Sequence, residues 1–389
     1  MIAADTSYSD NASLPSGDSP ELTLVLATSQ ERIASIKLNG TAWQGSLDLD
    51  SYLAREELLA QQPLTRGGSL ACWILVDRRQ PEDQRTILSS CETYRKKVWC
   101  AHDGCVSDAT AYGVGSVYCR PEFRGKGYAK RMLQELSLKM DTWKMEKTAN
   151  RPLFSVLFSD IGKKFYAQFG WNPFPSSHFA LPPVPRDGGD FTPARDLTAE
   201  DIRRYMCSDQ VLQKERDLLK VASQKSPGPK VAIAPDFDHY SWHWAREEFY
   251  ARKLHPGRAT PVIKGAGDDK SGVYCTWNRK FGETPAENTL FILRWVYNEP
   301  KSAEESQATA KAMAAILRRA QFEAHEWDMA TVEFWNPTPL LEEAVALVDP
   351  SAKVVHREED SIACLRWMGP DHGPNEDVEW YLNEKYAWC

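Results

Sequence analysis

The chain has 389 residues, of which 42% are hydrophobic and 26% charged, and its formal net charge is -7. This apolar content is enough for a large core, and the length favours two domains or three. An acidic chain of this size is not expected to coat a phosphate backbone, so nucleic acid is excluded as the expected partner.

The cysteine pattern and the N-terminus bear on the compartment. The nine cysteines are scattered without a repeated spacing, which is typical of free thiols in a reducing compartment. The first residues contain neither a basic region nor an apolar run, so no signal peptide is predicted. Because no stretch approaches 18 uncharged apolar residues, no membrane span is predicted either. We therefore expect a cytoplasmic protein that has no membrane partner.

The first half of the chain alternates strand and helix patterns. Residues 1–20 are polar and predict a disordered tail. A strand (LTLVLAT), two helices (SQERIASIKL and LDSYLAREELLAQQ) and three strands (LACWILVD, RTILSSCETYRKKVWCA and AYGVGSVYCR) follow. Next come a long helix (YAKRMLQELSLKMDTWKME), a strand (LFSVLFSD), a short helix (GKKFYAQFGW) and a closing strand (HFALPP). This order predicts an α/β domain over residues 21–185, with a mixed sheet flanked by helices.

A Pro- and Gly-rich stretch, PPVPRDGGDFTP, marks a boundary. We predict a linker with helical segments over residues 186–235 and a second α/β domain over residues 236–389. The second domain is predicted from an aromatic helix (FDHYSWHWAREEFYARKL), two strands (GVYCTWNR and LFILRWVYN), a long helix (SAEESQATAKAMAAILRRAQFEAHEW), a strand (ATVEFWN), a short helix (PLLEEAVALV) and a strand (SIACLRWM). Its element order echoes the first domain, so we interpret it as a degenerate repeat.

The most informative segment runs from Val117 to Ala129, where a strand leads through a glycine-containing turn into a long helix. The first turn of a helix has free backbone N–H groups and a partial positive charge, and it therefore binds phosphate. Gly125 and Gly127 carry no Cβ where the backbone would approach a pyrophosphate, and Ala129 keeps the first turn small. Taken alone, the R-x-x-G-x-A pattern is also compatible with an ordinary strand-to-helix connection.

With the following strand and the short helix, this segment resembles the GNAT superfamily of N-acetyltransferases. Phe165-Tyr166 and Gly170-Trp171 match the second signature of that superfamily. The resemblance implies that acetyl-CoA is the co-substrate, held by backbone N–H groups of the loop and by the edge of the preceding strand. Ser159 stands where many members have Asn. The predicted cofactor-binding residues are Val117, Tyr118, Cys119, Arg124, Gly125, Lys126, Gly127, Tyr128, Ala129 and Ser159.

The same resemblance implies that Tyr166 protonates the departing CoA thiolate. An ordinary phenol pKa of about 10 keeps this hydroxyl protonated at neutral pH. The alternative is a tyrosine that only packs. For the general base the sequence leaves several carboxylates open: Glu92 on a predicted strand, Asp103 and Asp108 in a predicted turn, and the terminal carboxylate of Cys389.

The second domain is predicted not to bind CoA. Its equivalent junction, YNEPKSAEESQATAKAM, has no glycine, and its acidic residues would repel a pyrophosphate. Trp242, His243 and Arg246 on one predicted helix suggest a substrate site, because an arginine can hold a carboxylate. The alternative is an aromatic helix packed on its own sheet. His239 and His243 lie four residues apart without a third ligand in view, so no metal site is predicted.

Several segments resemble one family more closely, the fungal L-lysine N(6)-acetyltransferases: SVLFSDIGKKFYAQFGW, the Pro-rich exit after HFALPP, WHWAREEF and EKYAWC. Members acetylate the ε-amine of free L-lysine as an early step of lysine catabolism, so the resemblance implies a small-molecule amine as substrate. It also implies a GNAT-type mixed sheet followed by a degenerate GNAT-like α/β domain without the CoA loop. A protein or peptide N-acetyltransferase and a non-catalytic CoA-binding scaffold are the alternatives, and the oligomeric state stays open.

Overall fold

The computed structural model describes residues 14–142, 152–186, 192–369 and 378–388. In the first half the strands are β1 (Leu22–Leu26), β2 (Leu70–Asp77), β3 (Ser89–His102), β4 (Cys105–Cys119), β5 (Phe154–Ser159), β6 (Asn172–Pro173) and β7 (Ser177–Leu181). The helices of this half are α1 (Ser29–Trp43), α2 (Leu49–Ala60) and α3 (Tyr128–Thr142). The short helix predicted from GKKFYAQFGW is a single 3₁₀ turn, Tyr166–Phe169.

The second half repeats this alternation with more helix. Its strands are β8 (Arg195–Leu197), β9 (Lys230–Ile233), β10 (Gly265–Asp268), β11 (Val273–Lys280), β12 (Thr289–Val296), β13 (Thr331–Trp335), β14 (Val355–His356), β15 (Ile362–Trp367) and β16 (Glu379–Tyr381). Its helices are α4 (Ala199–Met206), α5 (Asp209–Ser223), α6 (Phe237–Leu254), α7 (Ala303–Glu326) and α8 (Pro339–Val348). No described helix is long and apolar enough to cross a membrane.

Two mixed sheets organise these elements. The first has the strand order β1-β2-β3-β4-β5-β15-β6, and β9 and β16 extend it beside the far half of β3. The second has the order β14-β7-β13-β12-β11-β10-β8. In each sheet one parallel pair, β4 with β5 or β12 with β13, is joined by a long helix that crosses over it. The repeat expected from the element order is therefore present in the strand topology as well.

The two halves exchange strands at equivalent places. The strand β7, predicted to close the first sheet, pairs with β13 of the second sheet instead. In return β15, from the second half, pairs antiparallel with β5 of the first. The predicted linker also contributes β8, which pairs with β10 at the edge of the second sheet. Each sheet thus depends on both halves of the chain, and the domain boundaries proposed from the sequence stay predictions.

Helix faces cover the sheets as their sequence spacing requires. On α3, Met132, Leu133 and Leu136 are completely buried in the core of the first sheet. On α7, Met313 and Ile316 have the same role against the second sheet. Burying each such side chain stabilises the fold by about 1.5–3 kcal/mol. These two helices fix the ends of the parallel strands, which is where the candidate site lies.

Candidate active site

Strands β4 and β5 are paired only at their beginnings. The parallel register covers Ala111 with Phe154, Tyr112 with Ser155, and Gly113 with Val156. Beyond these pairs β4 continues to Cys119 without β5 beside it, while β5 stays paired with β15 up to Ser159. The two strands therefore diverge, and one edge of β4 exposes backbone groups that can pair with an extended ligand.

A β-bulge bends β4 at this opening. The register with β3 shifts between Ser90 and Glu92, and Ser116 takes a left-handed backbone conformation with φ of +51°. The Ser116 hydroxyl donates to Glu92 Oε2 over 2.7 Å, and the Tyr94 hydroxyl donates to the same oxygen over 2.8 Å. Glu92 is buried, and burial, followed by the charge of Glu56, raises its pKa. The carboxylate thus holds the bulge that opens β4 away from β5.

The loop before α3 has the backbone that its glycines predict. Gly125 and Gly127 have φ of +76° and +86°, in the left-handed region that glycine tolerates. The Gly127 carbonyl accepts the first bond of the helix from Arg131 N–H over 2.9 Å. Residues 124–127 are exposed, and the first turn of α3 contains no acidic residue. Its N-terminus is therefore open to an anion.

The equivalent end of α7 is closed by its own side chains. The Ser302 hydroxyl accepts from Glu305 N–H over 3.1 Å, and Glu304 and Glu305 both lie in the first turn. The Glu305 carboxylate also accepts from Lys301 N–H over 2.7 Å. Because acidic groups already occupy the positive end of this helix, a phosphate is repelled there.

The described part of the predicted tail packs against the loop before α3. The Tyr128 hydroxyl donates to the Pro15 carbonyl over 2.7 Å. A Cβ on Gly17 would lie 2.5 Å from the Lys126 carbonyl oxygen, so Gly17 makes a close backbone approach there. Residues 14–20 thus differ from the predicted disorder, and residues 1–13 lie outside the described chain.

The other predicted cofactor residues turn their side chains toward the protein. The Tyr118 hydroxyl lies 2.7 Å from Thr41 Oγ1 on α1. The Cys119 thiol donates to the Leu88 carbonyl over 3.6 Å, and the Ser159 hydroxyl donates to the Gly162 carbonyl over 2.7 Å. These side chains therefore form hydrogen bonds inside the protein. At these positions only the backbone is left to contact a cofactor.

Tyr166 begins the 3₁₀ turn after β5. Its ring is buried and meets Phe165 edge-on at 5.2 Å between centroids. Burial, with a smaller contribution from the charge of Asp160, raises its pKa well above the ordinary phenol value. Among the described residues its hydroxyl has no hydrogen-bond partner. A protonated and uncommitted O–H group is therefore present beside the end of β5.

A cavity of about 710 Å³ lies against the second sheet. This volume is within the range of about 300–1,000 Å³ that small-molecule sites occupy. The cavity reaches the first sheet at Asp160, the residue that follows β5. Its charged and aromatic wall includes Asp160, His178, His243, Arg246, Tyr250, Lys280, Phe281, Phe291, Glu333, Trp335, Arg357, Glu358, Glu359, Asp360, Lys385 and Trp388.

The last described residues connect this cavity to the diverging strands. Trp388 lines the cavity, and the neighbouring Ala387 carbonyl accepts from Lys96 Nζ over 3.1 Å. The Lys96 side chain lies on Gly113, since a Cβ there would approach Lys96 Cε to 2.7 Å. Gly113 is the last β4 residue paired with β5. The cavity and the opening between the strands are therefore neighbours, whereas Cys389 lies outside the described residues.

Of the three predicted substrate residues on α6, two line the cavity and one does not. His243 and Arg246 line the cavity, while Trp242 packs with Leu59 and Leu64 in a small core cluster and is not part of the cavity wall. His243 Nε2 lies 3.2 Å from the Tyr386 carbonyl, so that nitrogen carries the proton. Burial, together with the charge of Lys385, lowers the His243 pKa well below its usual range. The ring is therefore neutral.

Arg246 stands out among the charged groups of α6. It lines the cavity and forms no ion pair with a described residue, and its guanidinium carbon is 5.6 Å from the ring centroid of Trp388. Burial and the nearby charge of Arg55 lower its pKa. The cavity therefore has a cation with no carboxylate at ion-pair distance in the part of the chain that the structure describes.

The sequence did not single out Asp160, Glu333 or Lys385. The segment EKYAWC contributes only to the family resemblance, although it carries Lys385 into the cavity wall. Glu333 and Asp160 come from two different sheets, and no short motif links them. The other two candidate bases lie in or near the turn between β3 and β4: Asp103 begins that turn, and the Asp108 carboxylate pairs with Arg216 on α5.

Comparison with protein families gives two matches that together span most of the chain. Residues 178–389 match the family described as the LYC1 GNAT-like C-terminal domain. Residues 93–173 match the acetyltransferase (GNAT) domain, and they include the diverging strands, the glycine loop and Tyr166.

Two curated relatives are yeast proteins. An uncharacterized protein of Saccharomyces cerevisiae is 25% identical over 399 residues, which cover 90% of this chain and 93% of the relative. A protein of Yarrowia lipolytica named lysine acetyltransferase is 25% identical over 309 residues, which cover 69% of this chain and 74% of the relative.

Comparison with solved structures matches two bacterial proteins among others. One, from Enterococcus faecalis V583, is described as a probable N-acyltransferase and has a TM-score of 0.48 at 14% identity, covering 89% of this chain and 72% of its own. The other, a GCN5-related N-acetyltransferase from Anabaena variabilis, has a TM-score of 0.49 at 13% identity. The match covers 90% of this chain and 73% of that protein.

Proposed function

Since this chain belongs to the LYC1 GNAT-like family and is an acetyl-CoA-dependent N-acetyltransferase with two GNAT-type domains, we propose that its substrate is a small amine, the ε-amine of free L-lysine. The name of the Yarrowia lipolytica relative, lysine acetyltransferase, supports this substrate. The observation that carries the proposal is the cavity beside the diverging strands, whose wall holds charges of both signs.

Free lysine has a carboxylate and two amines, so it requires a site of mixed charge. Arg246 is the proposed partner of the carboxylate, because it reaches the cavity without an ion pair to a described residue. Glu333 and Asp160 supply negative charge in the same wall. The Glu333 carboxylate is held in place by Trp335 Nε1–H, which donates to it over 2.8 Å. A zwitterionic diamine is compatible with this distribution, because each of its charged groups can face an opposite one.

The residues around the glycine loop fit acetyl-CoA, which supplies the acetyl group when bound. The left-handed Gly125 and Gly127 leave the backbone accessible at the open end of α3, and that end has the polarity a pyrophosphate requires. The free edge of β4 from Val117 to Cys119 is the proposed partner of the pantetheine amides. The proposed cofactor residues therefore act through their backbone, including Arg124, Lys126, Tyr128 and Ala129.

Proton transfer is assigned to residues of the first sheet. Tyr166 is the proposed acid for the departing thiolate, because its hydroxyl is protonated and has no hydrogen-bond partner among the described residues. The amine must lose a proton before it attacks, because an ordinary lysine pKa of about 10.4 keeps it charged at neutral pH. Glu92 is the proposed base. Its raised pKa favours proton uptake, although its contacts with Ser116 and Tyr94 also fit a positioning role.

The test is acetyl-CoA turnover by the purified full chain with free amino acids, diamines, polyamines and peptides, followed by thiol release and mass spectrometry of the product. We expect turnover with L-lysine and a product acetylated at the ε-nitrogen. Gly127→Glu, which puts a carboxylate at the phosphate loop, is the negative control, and we expect it to be inactive. Turnover with peptides alone would refute the small-amine assignment, while the acetyltransferase activity itself would stand.

A further inference from the structure

Lys385 is a buried cation that faces the cavity. The residue is 6% exposed and lines the cavity wall at the start of the 3₁₀ turn Lys385–Ala387. Three aromatic rings surround its ammonium group: Trp388, Trp335 and Phe291, at 4.1, 4.2 and 4.4 Å from the ring centroids. Cation–π contacts of this kind hold a charge in place without neutralising it.

Among the described residues, no oxygen atom contacts the ammonium group of Lys385 between the three rings. Lys385 Nζ makes neither a hydrogen bond nor an ion pair with a residue that the structure describes. The nearby Glu333 lies beyond ion-pair distance from it, and its carboxylate accepts from Trp335 Nε1–H instead. Burial therefore lowers the pKa of Lys385 well below the ordinary value. An anion entering the cavity would favour its charged form, because an opposite charge favours ionisation.

Apart from Arg246, the other buried cations of the described chain do not share this condition. Each of them has a carboxylate or carbonyl oxygen within reach, as expected from the cost of burying a lone charge. These pairs are Arg55 with Glu56, Lys96 with the Ala387 carbonyl, Lys230 with Glu379, Lys264 with Glu247, Arg279 with Glu247, Arg294 with Glu215, Arg319 with Asp196, and Arg357 with the Ser177 carbonyl.

We propose that Lys385 binds the carboxylate of the substrate together with Arg246, and that it makes the enzyme select amino acids over plain diamines. Both cations lie close to the indole of Trp388, at 4.1 Å for Lys385 Nζ and 5.6 Å for Arg246 Cζ. One carboxylate has two oxygens, and it can accept from two cations that share a cavity wall. This inference rests on the proposed function, because it assigns a residue to the substrate of that site.

The experiment compares L-lysine with 1,5-diaminopentane, which lacks only the carboxylate. Lys385→Met keeps a long apolar side chain among the three rings and removes the charge. We expect it to lower kcat/KM for L-lysine at least tenfold, about 1.4 kcal/mol, and to leave kcat/KM for the diamine within about twofold. Lys385→Arg should recover part of the loss. Lys253→Met is the control, because Lys253 lies over Phe249 at 5.9 Å and is exposed outside the cavity wall.

An equal loss with both substrates overturns the inference, since it shows that Lys385 only supports the fold. If wild-type enzyme turns over neither amine, the proposed function fails, and calorimetric titration then decides the inference separately. Binding of L-lysine to wild type but not to Lys385→Met supports the carboxylate site. Equal affinity for L-lysine and the diamine in wild type overturns it.

Discussion

The substitution Gly127→Ala separates cofactor binding from stability. Gly127 has φ of +86°, and a left-handed residue with a Cβ costs about 1–2 kcal/mol. The added methyl group would meet only the Gly17 Cα, at an ordinary 3.6 Å. Gly67 is a matched control, because its φ is +65° and a Cβ there meets nothing within 4 Å. Both substitutions should therefore lower the free energy of unfolding by the same small amount.

Cofactor affinity should distinguish the two variants. If the loop holds the pyrophosphate, Gly127→Ala disturbs hydrogen bonds to a charged group, each of which contributes about 1.5–3 kcal/mol. At 1.4 kcal/mol per tenfold, the Kd for CoA should rise about 10- to 150-fold. Pantetheine has no pyrophosphate, so its Kd should not change. Gly67→Ala should change neither value.

Isothermal titration with CoA and with pantetheine measures both affinities, and urea unfolding measures stability. Equal weakening of CoA and pantetheine in Gly127→Ala would refute the assignment of the pyrophosphate to this loop. The same conclusion follows if Gly67→Ala weakens CoA as much as Gly127→Ala does.

Three further substitutions test the proton-transfer residues and one buried ion pair. Tyr166→Phe should lower kcat at least tenfold. Its free energy of unfolding should change by less than about 1 kcal/mol, because the hydroxyl has no hydrogen-bond partner among the described residues. A loss of stability as large as the loss of activity would indicate that Tyr166 only packs. Glu92→Gln should remove the fall of kcat at acidic pH, and in wild type the raised pKa of Glu92 places this fall above the ordinary carboxyl range. An unchanged dependence of kcat on pH would show that Glu92 is a positioning residue. The Arg85 hydrogen bond lowers the pKa of Glu31, so this carboxylate stabilises the fold above the unfolded-state pKa, and the effect is lost as pH falls through the lower folded-state pKa. Glu31→Gln should therefore cost about 1.5–3 kcal/mol at neutral pH and progressively less in acid, and a difference that does not vary with pH in urea unfolding would contradict this.

The sequence by itself determined the features that depend on local backbone chemistry. The glycines of the loop before α3 predicted its left-handed turns, and the acidic, glycine-free junction before α7 predicted an end closed to phosphate. The α/β class of both halves and their repeated element order along the chain also followed from hydrophobic periodicity, which reports how each segment is buried. Both family matches confirm the GNAT prediction.

Only the tertiary structure decided which segments meet. Periodicity identifies a strand but not its partner, so β7 and β15 could not be assigned to the sheets that they exchange. For the same reason the sequence placed Trp242 at the substrate site, whereas the packing of α6 on α2 buries it elsewhere. The cavity wall combines Asp160 from the first sheet, Glu333 from the second and Lys385 from the last segment. Their proximity follows from chain packing over long sequence distances, which no local pattern records.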